Sequence, residues 1–360
     1  MANIDKNVLN WYYDNVFECR LIKYRQVKFI EWQENEMNTD TKKGIQKTEL
    51  LVQVSRLYYE HNFSQNDIAK KVNLSRPYIS KLLNEAKRMG IVKIEINDPI
   101  KSESRVERKL REYFQLDRVI VVPKVDDINP LQQVGEAAAR YLDSIIKSGD
   151  VIGFSWGETV YECAKALRKR EDLKDVVAVQ MCGGISNIKR NVYVAEISKE
   201  FVVMLNSASY ILPFPAIVDN EQVKSVIDKE HTMQEVLKYA KQVNIAIVTM
   251  GKFGSQCALA RAGYLKSDEM ERLSLQGAVG DVCTHIINSE GEICDEHLDA
   301  RTVAVPYEQI KKAEVRIGIA IGESKVESIL GALRGGAVNI FVTNEITAEA
   351  INEVCPQIFE

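Results

Sequence analysis

The stretch Ser64 to Gly90, SQNDIAKKVNLSRPYISKLLNEAKRMG, constrains the fold more than any other part of the chain. It is spaced as two short helices around a tight turn. Ser64 can cap the first helix by taking up a free backbone N–H. Ile68, Ala69 and Val72 fall on one helical face. Asn73 stands where the chain must turn, and Asn tolerates the left-handed conformation. Ser75 caps the second helix, and Pro77 fits its first turn, where no intrahelical N–H bond is lost. Ile79, Leu82 and Leu83 make the second apolar face. A small residue (Ala69), a turn residue four positions on and a β-branched residue ten positions on form the packing pattern of a helix-turn-helix. The outer face of the second helix offers Arg76, Tyr78, Ser80 and Lys81, which reach base edges and phosphates when such a helix lies in a major groove. With Ser64, Gln65, Ser75 and Pro77 at the helix starts, these are the expected DNA-contacting positions.

Charge supports a local contact of this kind. The whole chain carries −4, but Lys47 to Ile96 holds nine Lys/Arg and five Asp/Glu, so this segment is +4 and the remainder −8. A basic module on an acidic body fits DNA contact by one domain only and argues against a nucleic-acid-coating protein. At 360 residues the chain has room for two domains. Its seven cysteines are odd in number, scattered and without a CxxC pair, so neither a disulfide framework nor a zinc ribbon is indicated. Cys283 with His285, and Cys294 with His297, are better read as buried cysteines and surface histidines than as metal ligands. No metal or cofactor is expected. There is no apolar run near 18 residues and no signal-peptide pattern, so a reduced, cytoplasmic protein without membrane contact is expected.

Four segments follow from the pattern. Residues 1–44 form an extension rich in aromatic residues (Trp11, Tyr12, Tyr13, Phe17) with basic residues between them, closed by a linker at Asn38 to Gly44. Residues 45–98 form the DNA-binding domain: an amphipathic helix from Gln46 to His61, the two-helix reader, and a strand at Ile91–Ile96 that makes the module winged and brings Lys93 to a phosphate. Asp98-Pro99 breaks the pattern. Residues 99–117 hold a charged helix from Ser104 to Phe114, equally suited to connecting or dimerising and to packing on the next domain. From 118 to 360, apolar strands at Val119–Val122, Val151–Phe154, Val176–Met181, Ile245–Met250, Val282–Ile287, Val303–Val305, Val315–Ile321 and Val338–Val342 interleave with helices. That is the texture of a mostly parallel, Rossmann-like doubly wound α/β domain.

In such sheets ligands bind beyond the carboxyl ends of the strands. Gly153 to Thr159 (GFSWGET) follows a strand and opens a helix, so free N–H groups point outward and Ser155 and Thr159 add hydroxyls: an anion site by its chemistry. Gln180, Gly183 and Gly184 close another strand, Gly251 and Gly254 a third. Asp281 sits among glycines, and Lys325 stands at a helix start, where the helix dipole favours an acid unless an anion is bound. Gathered at one sheet edge, Ser155, Trp156, Gly157, Glu158, Thr159, Gln180, Asp281 and Lys325 suit a phosphorylated polyol. The phosphate would sit at the N–H donors and Lys325, and hydroxyls at Gln180 and Asp281.

Six segments carry a resemblance: LSRPYISKLLNEAKRMGIV, SWGET, QMCGG, ILPFPAIVD, GAVGDVCTHIINSEGEICDE and IGESKVESILGALRGGAVNIFVTNEITAEAI. Through them Leu50 to Cys355 resembles the SorC/DeoR-like family of sugar-responsive bacterial transcriptional regulators. The resemblance implies an N-terminal helix-turn-helix that binds operator DNA and an effector domain with the fold of sugar-phosphate isomerases and deaminases. It further implies a phosphorylated sugar at the strand ends and a homodimer or homotetramer. By the same resemblance Ser155, Gly157, Glu158 and Thr159 fall on the phosphate-cradling turn, with Lys325 facing it. The first 45 or so residues lie outside it. Glu158 departs from the expected chemistry: an acid in an anion-binding turn repels phosphate unless it points away, so a free sugar or polyol stands beside a phosphorylated one. The competing function is a sugar-phosphate isomerase or deaminase with an accessory DNA-binding domain. It would need a positioned acid and base, for which Asp281, Glu158 and His285 show no clear pairing, or a Schiff base at Lys325 if burial lowers its pKa.

Overall fold

The computed structural model describes residues 39–92, 103–185 and 193–359, with side chains from residue 47 onward. The aromatic extension, Lys93 and the rest of the expected wing from residue 93 lie outside the described residues. The chain divides into two compact units, Met1–Lys101 and Ser102–Glu360.

The described residues of the smaller unit form three α-helices. α1 spans Thr39–Ser55 and runs on into a π-helical turn at Arg56–Glu60. The segment expected as a linker is thus helical from residue 39, since a single glycine at 44 costs a helix only about 1 kcal/mol. α2 is Gln65–Lys71 and α3 Arg76–Arg88. Ser64 Oγ accepts the Asp67 N–H and Ser75 Oγ that of Tyr78. Asn73 turns the chain at φ 54°, and Gly90, at φ 73°, follows the end of α3. Leu51 and Val54 of α1, Ile68 of α2, and Ile79, Leu82, Leu83 and Ala86 of α3 form one buried core. Arg76, Tyr78 and Lys81 are left exposed on α3.

The larger unit opens with α4 (Arg105–Phe114), capped by a reciprocal Ser104–Glu107 box. The buried Glu107 carboxylate accepts the N–H groups of both Ser104 and Val121. It thereby ties α4 to the first strand, so this helix packs on the unit it precedes. Seven parallel strands follow: β1 (Arg118–Val122), β2 (Val151–Phe154), β3 (Val177–Gln180), β4 (Ala208–Tyr210), β5 (Ile245–Val248), then β9 (Val315–Ile319) and β10 (Ile340–Asn344). Their order is β1-β10-β9-β5-β2-β3-β4. Between β5 and β9 the chain builds a separate antiparallel sheet of β6 (Met250–Lys252), β7 (Ala278–Val282) and β8 (His285–Asn288).

Alternation along the strands feeds two cores. Ile152, Phe154, Ile245, Ile247 and Ile317 face one side, under α5 (Pro130–Ile145), α6 (Glu158–Ala166) and α7 (Val194–Leu205). Val151, Val179, Ala246, Val248 and Phe341 face the other, with α8 (His231–Ala240), α9 (Val326–Arg334) and α10 (Glu345–Val354). Both faces are covered, which is why the strands read as continuous apolar runs.

Three expected strands differ. Ile245–Met250 breaks at Thr249 into β5 and the start of β6, which belong to different sheets. Val282–Ile287 is a hairpin: β7 ends, Cys283 and Thr284 turn at φ 50° and 70°, and β8 begins. Apolar residues flank both arms, so the turn is hidden in the pattern. Val303–Val305 forms no strand. It bridges instead, through Ala304 to Cys182 and through Val305 N–H to the Met181 carbonyl.

Candidate functional site

The strand order reverses between β2 and β5. The chain leaves β2 for β3 and β4 on one side, then returns through β5 to β9 and β10 on the other. The connections beyond these two strands therefore part and leave a crevice. A cavity of about 190 Å³ lies there. Ser155 to Thr159 line it from the β2–α6 turn, Thr249, Gly251 and Lys252 from the chain after β5, and Asp281, Cys283 and Thr284 from the β7–β8 hairpin. Lys325 enters from the 3-10 turn after β9.

Local hydrogen bonds fix the β2 turn. The Ser155 N–H donates to the Ile247 carbonyl, and Ser155 Oγ accepts the Thr249 N–H at 3.2 Å. Gly157 precedes α6 at φ 138°, a conformation only glycine adopts freely. The Thr159 hydroxyl donates to the Ile319 carbonyl at 3.3 Å, tying the helix start to β9. Trp156 closes one wall, its indole N–H donating to the Gly183 carbonyl at 3.0 Å.

Asp281 and Lys325 set the electrostatics. Asp281 Oδ2 accepts the Thr284 N–H at 3.2 Å. Its Oδ1 lies where a Cβ on Gly251 would stand, 2.0 Å from that position. Lost hydration pushes the Asp281 carboxyl up to about 6, against the opposing pull of the Thr284 N–H and the Lys325 and His285 charges. Loss of water lowers the Lys325 pKa, while Asp281 and Glu158 hold it up. The nearby Lys252 adds to the lowering.

Not every expected residue reaches this cavity. Gln180 is buried in the frame: its amide donates to the Cys182 carbonyl at 2.6 Å and accepts the Leu212 N–H at 2.9 Å. Gly183 donates to Val303 and Gly184 to Phe214. A Cβ on Gly183 would stand 2.6 Å from the Pro215 carbonyl oxygen. These two glycines serve close backbone packing, and Gly254, at φ 129°, turns the chain toward Cys257 without lining the cavity. His285 is buried and already engaged, Nδ1 with Asp299 at 2.5 Å and Nε2 with the Val305 carbonyl at 2.9 Å. Sequence reasoning passed over Lys252, although it stands between the two glycines that were singled out. It also passed over Thr249, Gln256, Cys257, Cys283 and Thr284, which line the cavity without any distinguishing spacing. Among the described residues no group of three His, Cys, Asp or Glu side chains is arranged to hold a metal ion. Nor is any helix among them long and apolar enough to cross a membrane.

A doubly covered parallel sheet with a cavity at its reversal point, lined by two lysines and two carboxylates, is the architecture of a ligand-binding domain, and a small helical unit precedes it in the chain. Residues 98–352 match the model of the sugar-binding domain family, and the chain belongs to this family, that of the SorC/DeoR-type transcriptional regulators. It is 34% identical over 308 residues to the deoxyribonucleoside regulator of Bacillus subtilis, covering 85% of this chain and 98% of the relative. It is 29% identical over 305 residues to the sorbitol operon regulator of Klebsiella pneumoniae, covering 84% and 97%. The crystal structure of that full-length regulator matches with a TM-score of 0.69, at 29% identity, over 87% of this chain and 99% of the other.

Proposed function

We propose that this protein is a sequence-specific DNA-binding regulator, a repressor of carbohydrate-metabolism genes, whose DNA affinity is set by a sugar in the cavity beside β2 and β5. The effector is a phosphorylated sugar, with a free sugar as the alternative. The observation that carries this reading is the convergence of the α6 start, Lys252, Lys325 and Asp281 on one cavity at the sheet's reversal point. The α6 start offers backbone N–H groups to an anion, the lysines add charge, and the Asp281 carboxyl hydrogen-bonds with hydroxyls. α2 and α3 act as a helix-turn-helix, with Arg76, Tyr78, Ser80 and Lys81 as the reading face and Lys93 as a further phosphate contact. The regulator works in the cytoplasm as a homodimer or homotetramer, pairing two readers on one operator. Enzymatic turnover is the weaker reading, because His285, one of the three acid–base candidates, is committed to Asp299 and the Val305 carbonyl.

Thermal-shift screening of sugars and their phosphates tests the reading. A cognate effector at a hundredfold over its Kd adds about 2.7 kcal/mol, and Lys325→Met should lose most of this gain for a phosphorylated one. Arg76→Ala or Lys81→Ala should weaken operator binding by about 1–3 kcal/mol where a base contact is lost. Unchanged operator affinity in both variants would remove α3 as the reading helix.

A further inference from the structure

The charges around the cavity balance. Lys252 and Lys325 bring two positive groups to its lining, Glu158 and Asp281 two negative ones. An anion entering a volume of about 190 Å³ meets both pairs. Asp281 cannot swing away from it. One carboxylate oxygen holds the Thr284 N–H, and the other is pressed over Gly251, where even a methyl group would collide. The hairpin that carries Asp281 is held in turn by His285, anchored to Asp299 and the Val305 carbonyl. The groups that favour its charge are Lys325 on the 3-10 turn, His285 on β8 and the Thr284 N–H. Lys252 on β6, Glu158 on α6 and the Cys182, Cys257 and Cys283 thiols complete the titratable and charged surroundings. All of these are in place before a ligand arrives. What an anionic ligand adds is a further negative charge and a further loss of water, and both disfavour a carboxylate.

We propose that Asp281 takes up one proton from solvent when an anionic ligand occupies this cavity, so that anion binding is proton-linked and the carboxyl then donates a hydrogen bond toward the ligand. This rests on the cavity being the effector site. No other bond changes: a carboxylate becomes a carboxylic acid. This carboxyl is already near the transition, since lost hydration holds it at about 6. The sign follows. Below about pH 6 Asp281 carries its proton before the ligand arrives, and affinity is flat. Above it, affinity falls by about tenfold per pH unit until the carboxyl of the occupied site also ionises.

Sulfate is the probe, because a strong-acid anion does not itself titrate across this range. Calorimetry of the full chain near pH 7, in two buffers of different ionisation enthalpy, should show uptake of close to one proton per bound sulfate. In Asp281→Asn the uptake should vanish and the sulfate Kd should stay constant from pH 6 to 8, where the wild type weakens. Binding without proton uptake, or equal uptake in Asp281→Asn, would overturn the inference alone. So would failure to bind sulfate in a chain that sugar phosphates stabilise. A chain that responds to neither sulfate nor any sugar phosphate would overturn the effector reading as well.

Discussion

The ends of β2 and β3 lie side by side on one edge of the sheet, and both are marked by glycine in the sequence. One turn, Ser155 to Thr159, lines the cavity; the other, Cys182 to Gly184, contributes mainly to the frame. The difference is what the chain does next. After β2 it enters α6 directly, and a helix start leaves N–H groups without intrahelical partners. After β3 it is stitched to other segments: Gly183 N–H to Val303, Gly184 N–H to Phe214 and the Gly184 carbonyl to Ala216. Its donors are spent. A glycine at a strand end says that backbone comes close to something; only the free donors say that the something is a ligand.

That contrast can be broken most sharply at Gly183. An added Cβ would meet the Pro215 carbonyl oxygen at 2.6 Å, its carbon at 2.8 Å and the Phe214 oxygen at 2.9 Å. All three are backbone atoms that cannot rotate away. Gly183→Ala should cost roughly 3 kcal/mol, the scale of a core overpacking, read as a lower midpoint in urea. Gly184→Ala is the matched control, since its nearest neighbour is 3.9 Å away. It should fall within about 0.5 kcal/mol of wild type. Equal losses in the two would mean that the turn is not packed as described.

On the cavity side, Thr159→Val removes the hydroxyl that donates to Ile319 and replaces it with a methyl group of similar size. The stability cost should be about 1 kcal/mol, one hydrogen bond's worth. Because the hydroxyl is spent on Ile319 while the backbone N–H donors remain, the effector response should move to higher ligand concentration with DNA binding unchanged. A variant that responds at the wild-type ligand concentration would show that the tie to β9 does not set the geometry of this helix start.

The sequence carried the larger features well, for physical reasons. Serine caps, a tolerated Asn at φ 54° and a proline in the first turn fix α2 and α3 locally. Strands covered on both faces announce themselves as apolar runs. What it did not carry depends on contacts distant in the chain. Gln180 has the composition of a ligand-binding amide, yet its partners are Cys182 and Leu212, the latter 32 residues on. The Cys283–Thr284 turn has neither the Asn nor the Gly usual for left-handed hairpin positions, so one apolar run concealed two strands. Lys252 comes to the cavity only through the pairing of β6 with β7, which sets Gly251 opposite Asp281 and Lys252 opposite Gly280.

An effect no larger than that of Thr159→Val has the most informative sign. Asp281 has a folded pKa near 6 against an unfolded value of 3.8. Between those values the native state binds more protons than the unfolded chain, so stability falls as pH rises through this window. The penalty is complete above about pH 6 and absent below about pH 4. Asp281→Asn keeps an oxygen for the Thr284 N–H and removes the penalty. It should therefore melt higher than wild type at pH 7.5, by the equivalent of roughly 1 kcal/mol once solvent screening at this partly open site is allowed for. The gap should close as pH is lowered toward 4. A truncation in the packed β3 turn can only destabilise. Neutralising a cavity carboxylate should stabilise, because its charge is held in place at the expense of the empty fold. A variant that melts lower than wild type at pH 7.5 would place Asp281 with Gln180, as a group the frame needs, and not with the cavity.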